Sequence, residues 1–241
     1  MSKDLADVAV SLNKYIASCG VCSRRKADEL IREGQISVND APMLTVSFKV
    51  MPTDVVRYLK KIIKPEEFIY IAVNKPEGVV TTSSDPQGRP TVLQLVQLSA
   101  KNRLFSIGRL DVTTTGLLLL TNDGELAQKL AHPRYKMDKT YHAKLHKPLS
   151  LQDAVTIRQG GVKLSDGFVS VDRMTVGSDR KKITIQLHCG RNRIIRRIFN
   201  SLGYHLKKLD RIGFGPITKK GLALGKWRRL TTQEINKLKK S

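Results

Sequence analysis

Asp111 is the side chain in this sequence best placed to do chemistry. It sits in Gly108-Arg109-Leu110-Asp111-Val112-Thr113-Thr114-Thr115-Gly116, a turn-rich stretch between the apolar runs 104–107 and 117–120. The longer run has the length and apolarity of a buried strand, and the shorter reads as a second strand of the same core. A carboxylate at a loop mouth held by strands has both exposure and fixed geometry, as a nucleophile or general base requires. Local sequence alone favours a plainer role, a side chain that caps its own turn.

Two other stretches shift that balance. In Gly190-Arg191-Asn192-Arg193-Ile194-Ile195-Arg196-Arg197-Ile198-Phe199, four arginines interleave with apolar residues where a strand meets a helix. Positions 194, 195, 198, 199 and 202 make one apolar stripe. Arg196 lies close to it, so a half-buried guanidinium in need of a carboxylate is expected, one able to orient Asp111 and keep it ionised. Arg191, Arg193 and Arg197 suit phosphate contacts better. In the strand-like run 139–145, Tyr141 points to the opposite face from Thr140 and His142. A lone tyrosine is more often core, yet beside a reactive carboxylate its ring can stack on an extruded base.

Composition limits the partners. Lys plus Arg number 43 against 21 for Asp plus Glu, a net charge of +22 in 241 residues, and such a surface wants a polyanion. Nucleic acid is favoured over membrane, because no apolar run approaches a spanning helix and the N-terminus lacks a signal-peptide pattern. Three cysteines make no disulfide framework, so a reducing, cytoplasmic setting is expected. A zinc site from Cys19, Cys22, His188 and Cys189 is disfavoured, since a single Cys-x-x-Cys lacks a matching second pair.

Around the candidate residues the chain reads as two domains. Residues 1–60 form a small α+β module, 61–67 a charged linker, and 68–241 a larger domain. In the module, helices over 12–18 and 23–32 flank the turn Cys19–Cys22, with Ser23 as N-cap. Strand-like segments follow at 35–39, 44–50 and 55–59, with a turn at 40–42. In the larger domain strands are expected near 68–74, 79–82, 104–107, 117–120, 139–145, 169–176, 182–189 and 204–210. Helices are expected over 91–98, 124–130 and 150–159, followed by the arginine helix and a basic, solvated helix opened by Thr231. Lys75 falls at a turn after the first strand, and His132, before Pro133, reads as a structural turn residue. The class is α+β with a mixed, largely antiparallel sheet flanked by helices.

The motifs resemble known families at both ends. Leu12-Asn13-Lys14-Tyr15-Ile16, Gly20-Val21-Cys22-Ser23-Arg24-Arg25-Lys26-Ala27, Leu30-Ile31, Gly34 and Val38-Asn39 resemble the S-four-type RNA-binding module. Ser11 stands where that module often has arginine, and Asp40 where it often has glycine. From Phe68 to the final helix the chain resembles pseudouridine synthases of the RsuA/RluB branch. The matching motifs are Gly108-Arg109-Leu110-Asp111 with Thr114-Thr115-Gly116-Leu117, Lys139-Thr140-Tyr141, Gly190-Arg191-Asn192-Arg193 with Ile195-Arg196-Arg197, and Asn74-Lys75-Pro76-x-Gly78. Ile194 departs from the glutamine common there.

The resemblance implies a pseudouridine synthase fold with Asp111 as catalytic aspartate, Tyr141 beside the target base and Arg196 as the aspartate's partner. RNA contacts are implied for Lys14, Arg24, Arg25, Lys26, Lys75, Arg109, Arg191, Arg193 and Arg197. It implies isomerisation of uridine to pseudouridine in ribosomal RNA or a pre-ribosomal particle, without metal or redox cofactor. Asp111 acts first either as a nucleophile or as a base. The run 120–127 and the Gly-Arg-Asn-Arg motif are more similar to large-subunit than to small-subunit members. A monomer is expected. The rival readings are a non-catalytic ribosome-assembly factor and a synthase acting on transfer RNA or small-subunit rRNA.

Overall fold

The boundary between Phe68 and Ile69 divides the chain into two compact units, with Arg103 grouped in the first. The structure is a computed structural model that describes residues 9–82, 85–96 and 103–241. The N-terminal arm, Ser83 and Ser84 of the polar loop, and the end of the helix expected over 91–98 lie outside the described residues.

In the first unit β1 (Val10–Ser11) leads into α1 (Leu12–Ser18) and α2 (Arg24–Arg32). The Ser23 hydroxyl caps α2 by accepting the Lys26 N–H at 3.2 Å. Leu12, Ile16, Leu30 and Ile31 build a core with Ile36 and Val56, while Arg24, Arg25 and Lys26 stay exposed. Cys19 and Cys22 carry free thiols in the turn, and burial pushes the Cys19 thiol up to about 12. The strands are β2 (Ile36–Val38), β3 (Ala41–Pro42), β4 (Lys49–Val50), β5 (Val56–Tyr58) and β6 (Lys61–Ile62). β4 pairs with β1, and the others form a sheet in the order β3-β2-β5-β6.

Three expectations need correcting here. The first hairpin turns at Asn39-Asp40, both at positive φ (51° and 63°), so Ala41 and Pro42 are strand. The strand expected over 44–50 shortens to Lys49–Val50. The expected linker begins as β6, because Leu59 and Lys60 turn the chain back at φ 46° and 66°. Tyr15 Oη donates to the Ile63 carbonyl (3.3 Å) and the Glu66 N–H to that of Ser18 (2.9 Å), so this stretch belongs to the module.

The second unit is one mixed sheet with helices around it. Its elements run β7 (Tyr70–Lys75), α3 (Val92–Leu95), β8 (Phe105–Ile107), β9 (Thr115–Thr121), α4 (Gly124–Ala131) and β10 (Lys139–Leu145). Then come α5 (Leu151–Arg158), the hairpin β11 (Val162–Leu164) and β12 (Gly167–Val169), β13 (Arg173–Val176) and β14 (Lys182–Leu187). The chain ends with α6 (Ile194–Ser201), β15 (Leu206–Phe214), β16 (Ile217–Thr218), β17 (Trp227–Arg229) and α7 (Thr232–Lys240). The strand order is β13-β14-β10-β15-β9-β7-β17, with β8 also on β9 and β16 on β15. No helix among the described residues is long and apolar enough to cross a membrane.

Smaller differences follow from turns that hydropathy does not mark. Residues 79–82 contribute a single bridge, Val80 to Thr91, and the strand expected over 169–176 is broken between Val169 and Arg173. The last helix is not a solvated end. Leu238 is fully buried in a cluster with Leu126, Leu130 and Leu230, with Ile235 packed beside it. The reason is spacing: three residues apart, Ile235 and Leu238 share one face, which the flanking lysines obscure in the sequence.

One pairing joins the two halves of the sheet. β9 and β15 run parallel over only two positions, Thr115 opposite Asp210 and Gly116 opposite Arg211. Gly116 has φ +111°, and a Cβ there would lie 2.2 Å from the Arg211 carbonyl oxygen. Thr115 Oγ1 donates to Asp210 (2.7 Å), which also takes Lys219 Nζ at 2.6 Å. Gly116→Ala is therefore expected to destabilise the second unit by about 2–4 kcal/mol, from forced backbone separation plus strain at positive φ. Denaturant melts of the variant check this, and stability within 0.5 kcal/mol of wild type, a surface-like effect, would contradict it.

Candidate active site

The segment carrying Asp111 is held by its carbonyls. The Leu110 carbonyl accepts from Thr81 Oγ1 (3.0 Å), and that of Asp111 from the Thr114 N–H (3.0 Å). The Val112 carbonyl accepts from the Gly78 N–H (3.0 Å) and Lys75 Nζ (3.3 Å), and that of Thr113 from Arg196 Nη2 (3.1 Å). Four successive peptide groups are thus fixed by five different partners. Backbone and borrowed donors close the turn, which leaves the Asp111 carboxylate free of the capping role and facing two arginines.

Asp111 Oδ2 lies 3.4 Å from Arg193 Nη1 and 3.6 Å from Arg196 Nε, with 28% of the side chain exposed. Arg196 projects from α6, whose Ile194, Ile195, Ile198 and Phe199 are buried as the stripe predicts. Its side chain is only 15% exposed, and Nη2 also reaches Thr113 Oγ1 (2.9 Å). Burial, then the charge of Arg193, lower its pKa, while Asp111 acts against them. Arginine stays charged regardless. Arg193 sits at the N-cap of α6 in the left-handed region, φ 47° and ψ 33°, a conformation that brings its side chain beside the carboxylate.

Asp111 stands between two concavities. One is a cavity of about 190 Å³ shared with Tyr141, Lys139, Arg211, Leu130, Ile195 and Phe214. The other is a wider groove of about 740 Å³ that includes Arg89, Arg109, Arg191 and Arg193. Both are lined by Gly108–Asp111, Gly190, Arg191 and Arg193, so cavity and groove meet at the carboxylate. Tyr141 is 9% exposed and lies opposite Arg211 across the β10–β15 pairing. Lys139 Nζ donates to the carbonyls of Met137 (3.1 Å) and His188 (3.0 Å). Among the described residues no His, Cys, Asp and Glu cluster is arranged to hold a metal ion.

The structure brings together Asp111, Tyr141, Arg193 and Arg196, and places Arg109 and Arg191 on the adjoining groove. Two expected RNA contacts require correction. Lys75 is 0% exposed, and its ammonium donates to Pro76 O (2.8 Å), Val79 O (2.8 Å) and Val112 O (3.3 Å), so it braces the aspartate loop and faces no phosphate. Arg197 is held by Asp166, with Nη1 at 2.9 Å from Oδ2, and a phosphate would have to displace that pair. Arg193, assigned above to phosphate alone, also sits closer to Asp111 than Arg196 does. Arg211 was missed altogether. Counting by twos from Leu209 along β15 puts it at an inward position, and an arginine in that phase is the signal that would have found it.

Residues 69–201 match the family model described as RNA pseudouridylate synthase, and residues 10–56 match that of the S4 domain. The chain belongs to the RNA pseudouridylate synthase family and carries an N-terminal S4 domain. It is 39% identical over 233 residues to ribosomal large subunit pseudouridine synthase B of Bacillus subtilis (strain 168), covering 95% of each chain. Against the dual-specificity RNA pseudouridine synthase RluF of Escherichia coli (strain K12) it is 36% identical over 234 residues, 96% of this chain and 79% of that one. A crystal structure of a pseudouridylate synthase aligns with a TM-score of 0.67 at 28% identity, covering 95% of this chain and 99% of that chain.

Desolvation lowers the Lys75 pKa to about 8, against the pull of Asp111 and Glu77. The unfolded chain, with an ordinary lysine near 10.4, then binds more protons than the folded one between pH 8 and about 10.4. Burying the charged form therefore costs stability in full below pH 8, and the cost fades as pH rises through that window. Lys75→Met is expected to remove this rise when the two proteins are melted side by side. It is also expected to lower kcat about 100-fold by loosening the aspartate loop. Parallel stability curves from pH 8 to 10.5, with unchanged kcat, would contradict the bracing role.

Proposed function

We propose that this enzyme isomerises uridine to pseudouridine in large-subunit ribosomal RNA, as a cytoplasmic monomer acting on the RNA or its pre-ribosomal particle. The observation that carries the site assignment is the position of Asp111, a fixed carboxylate where a small, partly apolar cavity opens into a basic groove. The groove takes the RNA strand through Arg109, Arg191 and Arg193, and the cavity takes one extruded base against Tyr141. Arg24, Arg25 and Lys26, exposed on α2, add phosphate contacts from the S4 domain. The large-subunit assignment rests on the relative from Bacillus subtilis, matched across nearly its whole length.

In this reaction the C1′–N1 bond breaks and its electron pair stays on the uracil. The ring turns within the cavity, C5 bonds to C1′, the C5 proton leaves, and N1 takes up a proton. Asp111 meets the sugar, either by attacking C1′ or by removing a sugar proton. Arg193 and Arg196, 3.4 and 3.6 Å away, hold the carboxylate in its aim. The apolar lining holds the detached ring and keeps bulk water out.

The test maps pseudouridine at single-nucleotide resolution in rRNA from cells with the protein, without it, and with Asp111→Asn in its place. One or more large-subunit positions are expected to lose pseudouridine without the protein, and Asp111→Asn should not restore them. Restoration by Asp111→Asn would remove the aspartate from the mechanism. Loss confined to transfer RNA or to small-subunit rRNA would overturn the substrate.

A further inference from the structure

We propose that Arg211 is the base-recognition group of the cavity, donating from Nη2 to a ring carbonyl oxygen of the extruded uracil. The proposal rests on the reading of the Asp111 cavity as the uridine site.

Arg211 is the largest fully buried side chain of the second unit, 1% exposed. Its Nε donates to the Leu117 carbonyl at 2.7 Å, and its Cζ sits 5.3 Å from the Phe214 ring, so the guanidinium is held on two sides. Nη2 is buried and has no hydrogen-bond partner among the described residues. A buried charged donor left open is costly, and native structures keep one only where something else meets it. Among the described residues no carboxylate pairs with Arg211, and its charged neighbour Lys139 has the same sign.

Position tells what that partner is. Arg211 lies opposite Tyr141 on β10 and opposite Gly116 on β9, so arginine and tyrosine rise from one face of the sheet into one cavity. Gly116 brings no side chain to that face, and β9 meets the guanidinium there through the Leu117 carbonyl. The cavity holds about 190 Å³, roughly six waters at the ~30 Å³ each takes in the liquid. That suits one flat heterocycle. A phosphate would lose its water against Leu130, Ile195 and Phe214, while exposed arginines offer it the groove outside. What fits beside Tyr141 and offers an acceptor to Nη2 is a pyrimidine carbonyl. The contact also strengthens during the reaction. When the C1′–N1 bond breaks, the electron pair left on uracil spreads onto O2 and O4, and a cationic donor holds that oxygen more tightly than in neutral uridine. The effect belongs in kcat more than in KM.

The experiment uses the full-length enzyme and synthetic rRNA fragments bearing uridine, 2-thiouridine or 4-thiouridine at the mapped target, with pseudouridine products resolved by nucleoside chromatography. Sulfur accepts N–H hydrogen bonds poorly, so wild type should lose about 100-fold in kcat on one of the two thio substrates, with KM little changed. Sulfur also alters the ring itself, so the comparison is between enzymes. Arg211→Met should be slow on uridine by a similar factor and lose less than about threefold more on the same thio RNA. Should that variant not fold, Arg211→Lys, which keeps a cation in the cavity, carries the comparison with the same expectation. Should neither fold, wild type decides, by a selective loss on one thio RNA or equal rates on all three. Independent losses that multiply, or a wild type indifferent to both sulfurs, would overturn the assignment. Asp111→Asn on the uridine fragment separates the two readings: if it remains active, the aspartate reading fails, whatever the thio result.

Discussion

The site depends on the two-residue parallel pairing of β9 with β15. Each strand has an antiparallel partner on its other side, β7 for β9 and β10 for β15, so this contact alone joins the two halves in the hydrogen-bonded order of the sheet. It is also where the lining of the Asp111 cavity converges: Asp111 precedes β9, Tyr141 stands on β10 and Arg211 on β15. Only glycine lets the two backbones approach at position 116. On the other strand position, Thr115 and Lys219 both bind Asp210, which locks the register by charge as well as by backbone. A one-residue slip would turn Arg211 to the opposite face and dissolve the cavity.

Cations hold the aspartate loop, and this explains how a turn with so little regular structure stays in place. Lys75 and Arg196 each spend donors on carbonyls of residues 112 and 113, and each also exerts its charge on Asp111. Geometry and electrostatics therefore come from the same atoms. The arrangement has a cost, visible in the depressed pKa of Lys75, whose burial is offset by three carbonyl contacts. Arginine at 196 avoids the same fate, since it keeps its charge through burial.

Periodicity made the core strands and the α6 stripe legible, because a 3.6-residue or two-residue apolar repeat is a direct image of burial. Asp111, Arg196 and Tyr141 were legible for a second reason, their place in motifs that resemble a family. What escaped has a physical pattern. The turn at Leu59-Lys60 uses positive φ without glycine or asparagine, so β6 was read as linker. Lys75 and Arg211 look like surface charges to any hydropathy rule, and only the carbonyls or the cavity they serve reveal them as interior. The lysines of α7 hid a buried leucine in the same way. In each case tertiary partners, distant in sequence, decided the environment.

A last feature joins the charge balance of the cavity to the proposed reaction. Arg109, Lys139, Arg191, Arg193 and Arg211 line it against the single carboxylate of Asp111, yet the nucleoside that enters is neutral. Positive potential adds little to the binding of a neutral ring, for which the apolar walls and the tyrosine face suffice. It adds much once the glycosidic bond has broken and the ring carries negative charge. Cations placed around a neutral substrate are thus spent on the intermediate, and they also retain the detached ring while it turns. A cavity matched to uridine alone would have paired those charges with carboxylates, as Arg197 is paired with Asp166 outside it.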